Sequence, residues 1–290
     1  MVPNLTAATH LDDDLLDRVA DLERRVVAAD GGRLKLEWGV LRSRDGDRIS
    51  DFVSWQGDRV VGFCGIYAFG GPVELAGMVD PNLRRQGIGS ALLAAAMPVV
   101  ASYGGDSALL VTPRTTTAGR AFAEAHGGQL RHSEHYLVLG ATPQPPTTHR
   151  DVVIRDAADD DAPDLGRIVG AAFNQDPGEF RLHSGRGERQ LTLARDGVVI
   201  GHLRLSAHDG RVGVYAFAVD PSLQGQGIGR TVLARVCHDL RTHGVDTVTL
   251  EVETDNDHAL GLYTSLGFER RATEDYFAVP VQRVVATERT

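Results

Sequence analysis

Val219-Asp-Pro-Ser-Leu-Gln-Gly-Gln-Gly-Ile-Gly229 occurs twice in this chain. Its partner, Val79-Asp-Pro-Asn-Leu-Arg-Arg-Gln-Gly-Ile-Gly89, matches at eight of eleven positions and lies 140 residues upstream. Each copy follows an apolar strand-like run and precedes an apolar helix-like run. Glycines at such a junction let consecutive backbone N–H groups converge on an anion at a helix N-terminus. The cradle residues of the second copy are Gln224, Gly225, Gln226, Gly227, Ile228, Gly229 and Arg230; those of the first are Arg84, Arg85, Gln86, Gly87, Ile88 and Gly89. Arg230, or Arg84 and Arg85, can add a charge-assisted bond to a phosphate. A nucleotide P-loop needs Gly-Lys-Ser/Thr, and neither copy contains lysine. A dinucleotide fingerprint needs GxGxxG early in its unit, whereas the spacing here is GxGxG and Gly225 is Arg85 in the first copy. A pyrophosphate cradle, built twice, is what remains.

Outward from the two words, the same order of elements recurs. In the second half Val152–Arg155 reads as a strand, Asp160–Phe173 as a helix, and Leu191–Ala194 with Val198–Leu205 as a hairpin about Asp196-Gly197. Val212–Val219 is the strand before the word, and Ile228, Val232, Leu233, Val236 and Leu240 mark one face of the helix after it. Val245–Val252 is a strand, Asp255–Leu266 a helix ended by Gly267, and Phe268–Val279 a closing strand. The first half repeats this from a helix at Asp12–Ala29 to a closing strand at Gln129–Leu139, with Pro98 expected to kink or end the helix after the word. Between the halves, Pro143, Pro145 and Pro146 bar helix and central strand. A mixed α/β fold of two tandem domains follows: residues 1–140, a Pro-rich linker at 141–150, and residues 151–290.

Composition bounds the function. The chain has 290 residues, 42% apolar and 24% charged, enough for two domains with cores of their own. Its net charge of −9 argues against a nucleic-acid binder and favours small or cationic partners. Lys35 is the only lysine, consistent with codon bias in a GC-rich genome. Cys64 and Cys237 fall in different halves without CxxC spacing and read as buried free thiols, and no metal site is expected. The longest apolar run, Ala91–Ala101, is too short to span a bilayer, and no signal-peptide core appears, so a cytoplasmic protein with no membrane partner is expected.

The pattern Q/R-x-x-G-x-G/A after a strand ending Val-Asp-Pro resembles the acetyl-CoA motif of the GNAT N-acetyltransferase superfamily. The resemblance covers nearly the whole chain as two domains. It implies acetyl-CoA as cosubstrate, wedged between two splayed parallel strands, here Val212–Val219 and Val245–Val252. It also implies that backbone groups of Phe217, Ala218 and Val219 pair with the pantetheine arm, as Met78 and Val79 would in the first copy.

The helix after the second splayed strand distinguishes the copies. Asn256, Ala259 and Tyr263 fall on one stripe over two turns. Asn256 can bond the pantetheine amides, Ala259 leaves room, and Tyr263 brings a hydroxyl to the far end. The family pattern N-x-x-A-x-x-L-Y-x-x-L-G-F, here Asn256 to Phe268, implies Tyr263 as general acid to the departing thiolate; a core aromatic is the alternative. The first copy has Thr116, Gly119 and Ala123 on this stripe, so its domain reads as catalytically silent, still holding acetyl-CoA or serving as scaffold. Proton removal from the amine falls to a carboxylate or to water. Glu251 and Glu253 share one face of a splayed strand, Tyr215 lies on the other splayed strand, and Glu179 follows the first helix of its half. Glu253 is the candidate base, while Glu179, Glu251 and Tyr215 are candidates for holding a small-molecule or peptide amine; solvated surface is the alternative for the carboxylates. The segments Val252–Asn256 and Tyr263–Phe268 are similar to the mycothiol synthase family, which implies a cysteinyl amine acceptor. Two departures are Gly213, where that family's substrate glutamate is expected, and the short loop Ser206–Arg211. A non-catalytic acetyl-CoA sensor is the competing class.

Overall fold

The computed structural model describes residues 4–44, 46–69, 71–173, 176–182, 187–208 and 210–281. Two compact units emerge. The first comprises residues 1–134 together with 272–290, and the second residues 135–271. The units therefore do not coincide with the two linear repeats, because each repeat's closing strand is divided between them.

In the first unit, β1 (Asn4–Ala8), β2 (Asp51–Gln56), β3 (Arg59–Tyr67) and β4 (Glu74–Val79) form an antiparallel run. Then β4 pairs in parallel with β5 (Ser107–Pro113), and β5 pairs antiparallel with the end of β12 (Phe268–Pro280), Tyr276 opposite Val111. Next to β12 lies β6 (Gln129–Leu139). Helix α1 (Asp13–Asp30) covers one face, burying Val19, Leu22 and Val26 against Phe63, Ala76 and Met78. Helix α3 (Ile88–Ser102) covers the other with Leu92, Leu93, Ala96 and Val100, joined there by Ala123 of α4 (Thr117–Ala125).

The second unit repeats the plan. Its sheet runs β7 (Val152–Asp156), β8 (Glu188–Arg195), β9 (Val198–His208), β10 (Arg211–Val219), β11 (Thr247–Glu253), β6 and β12. The β8–β9 turn, Asp196-Gly197, has positive φ at both residues, as a two-residue hairpin requires. Helix α5 (Ala162–Phe173) packs Leu165 and Ile168 on Val199 and Ala218. On the opposite face α6 (Ile228–Thr242) buries Ile228, Val232, Leu233 and Val236 against Val212, Val214, Val248, Leu250 and Val252, and α7 (Asp257–Ser265) leans on this core.

The α/β architecture expected from the repeat is present, with three differences. Pro98 does not end its helix: α3 runs on to Ser102 and has the same length as α6. Pro98 and Ala94, whose carbonyl loses its helical donor, are both exposed to water, while Ala96 and Val100 are held in the core. Strand β1 gave no sequence signal because it is a mostly exposed edge strand. A short helix, α2 (Trp38–Arg42), covers too few residues to show a period. Cys64 and Cys237 are buried free thiols, each pushed up to about 12 by that burial. No helix among the described residues is long and apolar enough to cross a membrane.

Candidate active site

The two glycine words occupy matching positions. Gly87 and Gly227 each stand at a helix N-cap with φ of 82°, a left-handed conformation that glycine adopts without Cβ strain. Neither α3 nor α6 has a side-chain cap, which leaves its first N–H groups to an external acceptor. Space beside Gly87 is open for 4 Å, and Gly225 and Arg85 also have positive φ. This geometry fits a pyrophosphate. Ile228 and Ile88 are buried, whereas Gln226 and Gln86 are exposed.

Two of the three cationic side chains have protein partners. Arg84 pairs twice with Asp30, at 2.9 and 2.6 Å, and its Nε donates to the Val79 carbonyl. Gln224 repeats that last contact, donating to the Val219 carbonyl at 3.0 Å. Both side chains thereby tie the loop to the strand before it. The Arg230 guanidinium donates to Ser265 Oγ and to the Ser265 carbonyl, and Arg85 is exposed at the loop surface.

Sequence reasoning passed over one contact here. His149, read as linker, hydrogen-bonds through Nε2 to the Gln226 carbonyl at 2.8 Å, and its Nδ1 lies 3.1 Å from the Arg195 guanidinium. Arg195 can only donate, so Nδ1 accepts and Nε2 carries the proton given to Gln226. Nothing in the sequence signals this contact, because it joins residues 77 positions apart.

Below each cradle the parallel strands part. In the first unit β4 and β5 pair from Glu74↔Leu109 to Ala76↔Val111 and then separate. A cavity of about 500 Å³ opens there, lined among others by Leu34, Met78, Val79, Val111, Gly87 and Phe122. In the second unit β10 and β11 pair from Arg211↔Thr247 to Val214↔Leu250, leaving the edge of β10 beyond Tyr215 without a β11 partner. That edge offers N–H and C=O groups to an extended ligand, as in strand addition. Phe217 and Val219 belong to this stretch; the Phe217 ring lies under Gly229, and Ala218 faces α5.

The strands differ at one point. On β10 both Ala216 and Phe217 stand opposite Leu203 of β9, a bulge in which Ala216 has φ of 48°. In the first unit, pairing of β3 with β4 is uninterrupted. The inserted residue shifts the register, so that Glu74 and Gly213 hold equivalent positions opposite Leu109 and Thr249. The carboxylate absent at Gly213 is thus present in the first unit.

Tyr263 is half-buried on α7, 6.1 Å edge-to-face from Phe268, and its hydroxyl has no hydrogen-bond partner among the described residues. Burial pushes the phenol up to about 12, so it is protonated at neutral pH. Asn256 caps α7, its side-chain oxygen accepting from Ala259 N at 3.0 Å. Glu251 and Glu253 alternate with the buried Leu250 and Val252 and so face the α5 side, Glu251 half-buried and Glu253 exposed. Tyr215 lies under the Arg204 guanidinium, 4.9 Å from its ring centre. Glu179 ends a short 3-10 turn, Pro177–Glu179, and its side chain lies outside the described residues. In the first copy Ala123, with no hydroxyl, takes the place of Tyr263.

Residues 154–268 match the acetyltransferase (GNAT) family, and residues 50–127 match an acetyltransferase (GNAT) domain. A mycothiol acetyltransferase of Rhodococcus jostii is 30% identical across 90% of this chain and 93% of its own length. The chain belongs to the GNAT acetyltransferases, as a tandem member. A second mycothiol acetyltransferase, from Clavibacter michiganensis, is 31% identical over 81% of this chain and 78% of its own length. The tandem GNAT protein from the clavulanic acid biosynthesis pathway shares the fold, with a TM-score of 0.71 at 18% identity over 96% of this chain and 98% of that one. An N-acetyltransferase from Sphaerobacter thermophilus does likewise, with a TM-score of 0.71 at 16% identity over 97% of both chains. This tandem acetyltransferase uses acetyl-CoA as its acetyl donor.

Proposed function

We propose that the second unit transfers acetyl from acetyl-CoA to the primary amine of a small molecule, and that the first unit holds the donor without turnover. One observation carries this reading. The bulged, unpaired edge of β10, the uncapped α6 terminus and the Tyr263 hydroxyl belong to one unit, while in the first unit β4 pairs with β3 without a bulge and Ala123 brings no hydroxyl. Acetyl-CoA supplies a thioester-activated acetyl group. Backbone groups of Phe217, Ala218 and Val219 align the pantetheine arm, and the N–H groups from Gly225 to Gly229 bind the pyrophosphate. The amine nitrogen forms the amide bond as the C–S bond breaks. Tyr263 gives its proton to the thiolate, and Glu253 takes the amine's proton directly or through water. Glu251, Tyr215 and Glu179 are the residues proposed to hold a cationic acceptor, in keeping with the net charge of −9.

The relatives named mycothiol acetyltransferases favour a cysteinyl amine of a mycothiol precursor as that acceptor. Mixing the protein with acetyl-CoA and a panel of amines that includes such a precursor, while reading thiol release, tests both levels. Release with the precursor above all other amines supports the specific acceptor; release with a different amine retains only the reaction class. Acetyl-CoA binding without release for any amine would favour the sensor reading instead.

A further inference from the structure

Lys35, the chain's single lysine, is 8% exposed. Its Nζ donates to the Tyr276 hydroxyl at 2.6 Å and lies 3.4 Å from Glu74 Oε2 and 3.6 Å from Glu134 Oε2. Tyr276 donates in turn to Glu134, and its ring stacks on His132, 4.3 Å between centroids. A long, strongly hydrated side chain is seldom buried unless its charge is matched, and here two carboxylates and a phenol match it. Burial pushes the Glu134 carboxyl up, but hydrogen bonds from His132 and Tyr276 and the Lys35 charge outweigh it and hold the group down at about 2.

The place of this ammonium matters more than its pairing. Glu74 stands in the register position of Gly213, on the α1 face, just before β4 and β5 part. Tyr276 is the strand partner of Val111, and Val111 and Leu34 both line the cavity that opens at the parting. The amine therefore lies beside the paired stretch of β4 and β5, one residue along the chain from Leu34 and bonded to the strand partner of Val111, both of which line the cavity. We propose that Lys35 Nζ fills the amine-acceptor subsite of the first unit, a built-in occupant that lets this unit hold a thioester donor without consuming it. An ammonium paired with two carboxylates has no lone pair to attack a thioester. Removing the side chain leaves a subsite for a small primary ammonium, bounded by Glu74, Glu134 and Tyr276. The inference rests on reading the splays as donor sites.

Chemical rescue tests it without acetyl-CoA, so the outcome is independent of turnover in the second unit. Lys35→Ala is heated with ethylamine, and separately with tetramethylammonium or sodium chloride at equal ionic strength. A saturable rise in Tm of about 2–4 °C with ethylamine alone, absent in the wild type, is expected. Equal effects of all three salts, or the same rise in the wild type, would overturn the proposal. Should Lys35→Ala not fold, its refolding yield from denaturant is compared in the same salts: recovery with ethylamine alone supports the subsite, and equal yields in all salts refute it.

Discussion

Replacing Tyr263 by Phe tests the proposed chemistry most directly, because the structure separates its effect on catalysis from its effect on folding. The hydroxyl has no partner among the described residues, so its loss strands no buried donor or acceptor. The ring keeps its edge-to-face contact with Phe268 and its place on the α6-side core. Stability should therefore change by less than about 0.5 kcal/mol, the usual range for a substitution that removes no buried contact. A general acid contributes roughly 10²–10⁴ in rate, which is about 2.7–5.4 kcal/mol of barrier. Turnover followed by thiol release should fall by that factor, with the KM for acetyl-CoA changing less than about twofold if the hydroxyl acts only in the transition state. Because burial lifts the phenol to about 12, the wild-type rate should show no alkaline decline from this group below about pH 11. Unchanged turnover in Tyr263→Phe refutes the acid assignment, and a large fall in Tm would show a structural role instead.

Three further outcomes are expected. His149→Ala removes the donor to the Gln226 carbonyl, worth about 0.5–1.5 kcal/mol, and should raise the KM for acetyl-CoA about 2- to 10-fold by steady-state kinetics; an unchanged KM would mean the cradle does not depend on the linker. Gly227→Ala puts a Cβ where φ is 82°, and should cost about 1–2 kcal/mol by denaturant titration and weaken donor binding in calorimetry, although the nearest atom, His149 Nε2, is 3.7 Å away. Glu134 is held at about 2 against 4.5, so its ionised form contributes stability above about pH 4.5, on the order of 3 kcal/mol, lost as pH falls toward 2. The Tm gap between wild type and Glu134→Gln should close over that window, and a gap independent of pH would remove the carboxylate from the account.

Much of this could be read from residue order alone. The doubled glycine word marked the N-termini of α3 and α6, and the buried faces of those helices followed from apolar spacing. What escaped reading depended on pairing between distant segments. The bulge at Ala216 is one extra residue in Val-Gly-Val-Tyr-Ala-Phe-Ala-Val, and it becomes visible only when β9 supplies the register. The same shift hid the equivalence of Glu74 and Gly213, since counting back 140 residues from Val214 lands on Glu74 instead. Lys35 looked like a trace of codon usage because its partners Glu74, Glu134 and Tyr276 are spread over most of the chain. Pro98 misled because local propensity yields to packing when the broken hydrogen bond faces water.

The division of β12 makes synthesis and completion run in opposite orders. Residues Glu274–Pro280, translated after every residue of the second unit, supply the strand beside β5 and place Tyr276 against Lys35. The half of the protein made first thus waits longest for its last piece, and until then β5 exposes a bare edge to any chain that can pair with it. A ribosome stalled after Arg271 would release a nascent chain with every residue of the second unit and a first unit lacking this strand. Quality control acting on that open edge would be a check that translation had passed beyond the second unit.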